Sequence, residues 1–280
     1  RSVTSVIGLF FFIWREMTYQ FPIVNLRVLK DGNLRIGTLM TFILGFGLYG
    51  STFIIPLYTQ SILGWTATDA GLILVPSSLT TAILMPFIGK MIQRGIPQSY
   101  MVAAGFFIFF LFSYWMHTQM TPDTGVEHFF WPLILRGVGL GLLFVPITTL
   151  ALSTLTGKSI GEGAAMTGMM RQLGGSFGIA IITTFIARFN QEHRVNLISH
   201  LDPTKINVQE RITALQRGFM SKGFSYDVAL EKAHQVLDYT VTKQSTVLSY
   251  MDVFLYLGIL FLVCIPITLL IKRGKNKVDL

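Results

Sequence analysis

Charge is scarce in this 280-residue chain: Asp, Glu, Lys and Arg make up 13% of it, against about 25% in an ordinary soluble domain. Cysteine is nearly absent. Cys264 stands alone in an apolar run, which excludes a disulfide framework or a multi-cysteine metal site within the chain and reads as an inert buried thiol. No metal site is expected. No phosphate loop, HExxH or nucleophile elbow occurs, so neither an enzyme nor phosphate-driven transport is expected. The net charge of +8 could point to nucleic acid, but no basic stripe interleaved with aromatics is present. The basic residues cluster between apolar runs, so no nucleic-acid partner is expected.

What is abundant is apolar. Hydrophobic residues make up 51%, mean hydropathy is +0.58, and there are 23 Phe beside 26 Gly. Large side chains among many glycines are the composition of close-packed membrane helices. Six runs have the length a bilayer needs: about Ile36–Gln60, Ala70–Lys90, Ser99–Met116, Phe129–Leu150, Gly161–Phe185 and Val247–Ile271. Pro56, Pro76, Pro86, Pro146 and Pro266 fall inside them, as membrane helices tolerate. An earlier run, Val3 to Trp14, is too short to span about 30 Å of hydrocarbon. It reads as the tail of a helix whose start is missing, and the chain as a fragment. Residues 1–35 are thus a partial transmembrane helix with a cytoplasmic linker, and 36–280 an all-α six-helix membrane bundle.

Lys and Arg sort to one side. Eleven of them lie at 15–35, 90–98, 151–160 and in the tail after Ile271, while the short connections 61–68 and 117–128 carry none. The positive-inside rule then makes the C-terminus cytoplasmic. The segment 188–246 holds eight Lys/Arg yet lies outside, since long loops translocate regardless of charge. Asn207-x-x-Glu210 has capping-box form, Val208, Ile212, Leu215 and Phe219 follow at helical spacing, and Gly223 offers a C-cap. A second polar helix is expected from near Ser225 into the last span. The hairpin either covers the outer rim or docks a partner.

The spans differ in character. Ser99–Met116 and Val247–Ile271 are bulky and apolar nearly all round, which suits lipid exposure, whereas Ile36–Gln60, Phe129–Leu150 and Gly161–Phe185 are rich in Gly and polar residues, which suits helix contacts or a cavity. Gly137-x-x-x-Gly141 and Gly174-x-x-x-Gly178 are small-xxx-small pairs. Pro86-Phe-Ile-Gly-Lys-Met-Ile-Gln-Arg-Gly-Ile-Pro97 resembles the cytoplasmic signature Gly-x-x-x-Asp-Arg-x-Gly of the major facilitator superfamily. Gly89, Arg94 and Gly95 are in place, and Gln93 stands where the signature has Asp. Leu135-Arg-Gly-Val-Gly-Leu-Gly-Leu-Leu-Phe-Val-Pro146 resembles its fourth-helix signature, and Arg171-Gln-Leu-Gly-Gly-Ser-Phe-Gly178 the next helix of one branch. Together these resemble the C-terminal half of the fourteen-helix drug:proton antiporters of the EmrB/QacA type.

That resemblance implies one six-helix bundle of inverted three-helix repeats, in the inner or plasma membrane and surrounded by lipid. It also implies a missing N-terminal half and proton-coupled efflux of small lipophilic substrates by alternating access. A proton gradient would supply the energy, with no cofactor. A siderophore, fatty acid or metabolite remains an alternative substrate, and a membrane subunit docking a periplasmic adaptor an alternative role. Arg136 and Arg171 are the intramembrane cations, each marking a functional path by default. For Arg136 the alternatives are a cavity-lining sensor or a snorkelling interfacial arginine. For Arg171 they are gating or substrate contact, or a structural pair, with Gln172 adding a hydrogen bond. Tyr49, Phe53 and Tyr58 lie on the span that the resemblance sets against the cavity, where aromatics suit lipophilic cations. Gly89, Arg94, Gly95, Gly137, Gly141, Gly174, Gly175 and Gly178 form the conformational motifs. Ser159-x-x-Glu162 and Thr68-Asp69 read as helix openings, and Asp252 as an interfacial residue.

Overall fold

The computed structural model describes residues 31–202 and 205–269. The expected partial helix at Val3–Trp14, most of the linker and the basic tail lie outside them. Eight helices follow: α1 (Gly32–Ser61), α2 (Ala67–Leu72), α3 (Val75–Gln93), α4 (Gln98–Gln119), α5 (Glu127–Leu152), α6 (Lys158–Ser199), α7 (Ile206–Met220) and α8 (Tyr226–Leu269). No strand occurs among the described residues. Six helical stretches are long and apolar enough to cross a membrane, with α2 and α3 sharing one. The protein is therefore an all-α membrane bundle.

Local chemistry sets the ends. Asp31 caps α1, accepting from the Leu34 amide at 2.8 Å, and the same carboxylate accepts from Thr154 of the α5–α6 connection. The expected span Ala70–Lys90 is two helices. Thr66, not Thr68, caps α2, pairing with both the amide and the carboxylate of Asp69. α3 restarts at Val75, with Pro76 in its first turn, where a missing N–H costs nothing. Two capping boxes do not form as expected: α7 begins after Lys205 and α6 after Gly157, so Asn207 and Ser159 lie inside their helices. Gly223 does end α7. At φ +91° its amide reaches the Met220 carbonyl and Phe224 N–H reaches Phe219, whose ring packs edge-on against that of Phe224. Val208, Ile212, Leu215 and Phe219 form the half-buried face of α7, which leans on the polar start of α8.

The spans form two layers. In front, α3 packs on α5, α5 on α1 and α1 on α6; behind, α4 packs on α5 and α8, and α8 on α6. The front contacts depend on glycine. A Cβ on Gly174 would strike the Phe42 carbonyl, one on Gly178 would lie 2.9 Å from the Phe46 carbonyl, and one on Gly45 would strike the Arg171 carbonyl. α1 and α6 thus run parallel with backbones touching. α3 and α5 repeat this: a Cβ on Gly137 would lie 2.5 Å from the Ser77 carbonyl, and Thr81 bonds the Gly137 carbonyl at 2.9 Å. The first span pairs with the fifth as the fourth pairs with the second, which is the relation an inverted three-helix repeat requires.

The bulky spans are not the most exposed ones. Spans Ala67–Gln93 and Ser159–Ser199 are buried over only 17% and 22% of their most apolar windows, whereas the other four range from 39% to 56%. α4 and α8 nonetheless keep an exposed apolar face, with Phe107, Leu111, Tyr114, Ile259, Val263 and Ile267 outward, and bury the other face. Phe106, Phe109 and Phe112 of α4 are fully buried and interlock with Phe254 and Phe261 of α8. Gly105 and Gly258 make this possible by leaving room for Leu143 and Phe110. Gly174→Leu should abolish a monodisperse fold, whereas Gly168→Leu, where a Cβ meets nothing, should be tolerated. Fluorescence-detected size exclusion compares the two directly.

Candidate functional site

Arg136 sits near the middle of α5 with 3% of its surface exposed. Its Nε donates to Ser51 Oγ at 2.9 Å and Nη1 to Ser77 Oγ at 2.9 Å. Nη2 donates to the Leu48 carbonyl at 3.3 Å and to Thr52 Oγ1. The guanidinium is therefore a buried brace across α1, α3 and α5, not a snorkelling residue. Every acceptor is a neutral oxygen, and no carboxylate lies within ion-pair distance among the described residues. Burying a charge on neutral dipoles is expensive, but four of the five donors of the rigid fork find a lone pair here.

One face of the front layer collects the other sequence-derived residues. Arg171 is half-buried, with its guanidinium carbon 4.4 Å from the centre of the Phe144 ring, a cation–π contact. The Tyr49 hydroxyl donates to Gln172 Oε1 at 3.1 Å. Tyr49, Phe144, Arg171 and Gln172 thus bring α1, α5 and α6 to one polar–aromatic group, and the exposed Gln172 opens it outward. Gly175 lets Tyr49 lie flat here, since a Cβ would strike its ring. Phe53 is half-buried on the same helix.

Tyr58 lies elsewhere. It is fully buried between Phe129 and Tyr250, and its hydroxyl holds the α4–α5 connection through the Thr121 carbonyl and Thr124 Oγ1. Of the signature at the end of α3, Gly95 is required by its backbone: at φ +85° it ends the helix, with Ile96 N–H bonding the Met91 carbonyl. Gly89 meets nothing where a Cβ would stand, and Arg94 is exposed. A Cβ on Gly141 would lie 3.3 Å from Ile88 Cδ1. Ser51, Thr52, Ser77 and Phe144 were not singled out from sequence. The available signal was small hydroxyls set inside apolar runs facing a lone arginine.

These features define a polytopic α-helical membrane transport protein. The family model described as Major Facilitator Superfamily matches residues 4–179, and the chain belongs to that superfamily. It is 30% identical over 272 residues to the fatty acid resistance protein FarB of Neisseria gonorrhoeae, covering 97% of this chain and 52% of that protein. It is 26% identical over 262 residues to the multidrug export protein EmrB of Escherichia coli K12, covering 94% and 49%. It is 25% identical over 185 residues to the lincomycin resistance protein LmrB of Listeria innocua, covering 66% and 39%. The chain spans about half the length of the first two of these relatives. They are transporters of one superfamily, not enzymes.

Arg136→Met should orphan the Ser77 hydroxyl, cut the ties to Ser51, Thr52 and Leu48, and loosen three helices at once. With about 1 kcal/mol for each lost bond, the melting midpoint should fall by roughly 8–16 °C. Arg136→Lys should restore little of it, since one ammonium cannot reach four acceptors on three helices. Thermal melts in detergent give both values.

Proposed function

We propose that this chain forms the C-terminal half of an exporter of drugs or other lipophilic compounds across the inner or cytoplasmic membrane. It is driven by protons and works by alternating access, with its C-terminus cytoplasmic. The observation that carries this reading is the open front face. The two least-buried spans are α2–α3 and α6, the second of which carries Arg171 and Gln172, and Leu72, Val75, Leu79, Ile83, Phe87 and Phe177 are exposed on them. Such a face fits a second bundle closing over a midplane cavity. A π-face and a cation beside an amide can take varied lipophilic molecules, as the names of the relatives above indicate for those proteins. The proton gradient is the energy source and no cofactor is needed. One charge moving down 100 mV releases about 2.3 kcal/mol.

The adaptor role has its own support. α6, α7 and α8 project past the spans as a hairpin with Val195, Ile206, Tyr226 and Tyr239 more than 60% exposed. This favours a periplasmic adaptor as partner in the same transporter.

The full-length transporter in inverted vesicles should accumulate ethidium when a pH gradient is imposed. Arg171→Ala should cut the initial rate at least about tenfold at equal expression, a loss on the scale of one lost charge-assisted contact. Uptake indifferent to the gradient would sink the reading. Deleting 204–243 should abolish export from cells and leave vesicle transport intact; export that survives the deletion would remove the adaptor.

A further inference from the structure

Two hollows between α6 and α8 share a wall. The deeper, of about 280 Å³, is lined by Phe46, Ile181, Ile182, Val253, Leu257 and Leu260, together with Phe185 and Tyr256. The wider, of about 620 Å³, opens from the same Phe185 and Tyr256 toward Arg188, Gln191, Glu192 and Asn196. Their sizes suit a small-molecule site, apolar with a few polar groups at one end.

The level of Arg188 is fixed by its neighbours. His193 Nε2 meets Asp252 Oδ2 at 2.7 Å, His117 meets the Met251 carbonyl at 2.8 Å, and Ser61 meets Tyr250 at 3.3 Å. These contacts share one level, where α1 and α4 end. Arg188 precedes His193 by five residues on α6, so it lies about 7 Å further into the bundle. It is exposed at that depth, and among the described residues no hydrogen bond or ion pair engages its guanidinium. The nearby charges are engaged elsewhere: His193 with Asp252, and Arg194 with Asp238 at 2.6 Å. Glu192 is one turn closer to water, and an Arg-to-Glu pair at i, i+4 is the weaker orientation. A cation near hydrocarbon without an anion calls for one.

We infer that the α6–α8 groove binds a single-chain anionic amphiphile, with its carboxylate on Arg188 and its tail in the hollow between Phe46, Ile182, Leu257 and Leu260. Head and tail then keep the polarity of a lipid leaflet, and the site opens sideways from the bundle. One narrow hollow admits one chain, which selects a free fatty acid over a two-chain phospholipid. This assignment rests on the exporter reading only in naming an entry site for its lipophilic cargo.

The test is photo-crosslinking of a diazirine-bearing palmitic acid to the full-length transporter, held in zwitterionic nanodiscs at pH 8 without any gradient. Labelled peptides should fall within 181–196 and 253–260. Oleate should compete at least about tenfold better than methyl oleate, the factor expected of one charge-assisted contact. Arg188→Gln should erase that preference and Arg188→Lys should keep most of it. Leu260→Trp, filling the hollow from its exposed side, should weaken both competitors equally. Labelling elsewhere, equal competition by the ester, an unchanged Arg188→Gln, or displacement by phosphatidylglycerol alone would each overturn the site. Because no gradient is applied, lost labelling with intact transport refutes the groove and spares the exporter. Labelling without gradient-driven transport does the reverse.

Discussion

A guanidinium cannot be left dry. Arg136 is almost wholly enclosed, and its neutral acceptors come from α1, α3 and α5. Each acceptor fixes the rotation of its helix, because a turn of one residue would carry Ser51 or Ser77 about 100° away from the fork. The front layer is held in register by this demand. In lipid, where apolar faces gain little by meeting one another, such polar contacts and close packing carry the association of helices.

Close packing supplies the second constraint. Gly45, Gly174 and Gly178 let α1 and α6 touch backbone to backbone, and Gly137 does the same between α5 and α3. Both pairs run parallel and exchange places under the repeat. Their contacts are made largely of backbone, so they have little freedom to deform. Arg171 lies at this seam: its carbonyl touches Gly45 while its side chain rests on Phe144. A displacement of α5 against the α1–α6 pair would disturb both that contact and the Arg136 brace.

Much of this was legible in the sequence. Six spans, the helical hairpin before the last, the glycine seams and the two intramembrane arginines follow from run length, spacing and the rarity of charge. Helix openings were less legible. Thr66 rather than Thr68 caps α2, and Lys205 and Gly157 stand where Asn207 and Ser159 had the better capping chemistry, because chain direction at those corners is set by neighbouring helices. For α4 and α8 the sequence did not tell the exposed apolar face from the buried one. Phenylalanine suits lipid or core equally well, and the glycines opposite mark the buried face.

The amino-acid sequence by itself determined that the chain crosses a membrane, where it crosses, and which charges are too costly to be idle. These depend on composition and on distance along one helix. The tertiary structure decided what each costly residue does: that Arg136 is a sealed brace, that Tyr58 is core, that Arg171 lies on Phe144, and that Arg188 has no partner among the described residues. Those outcomes depend on which helix faces which. That arrangement is set by contacts between residues as distant as Ser51 and Arg136 or Tyr49 and Gln172, whose meeting no local pattern encodes.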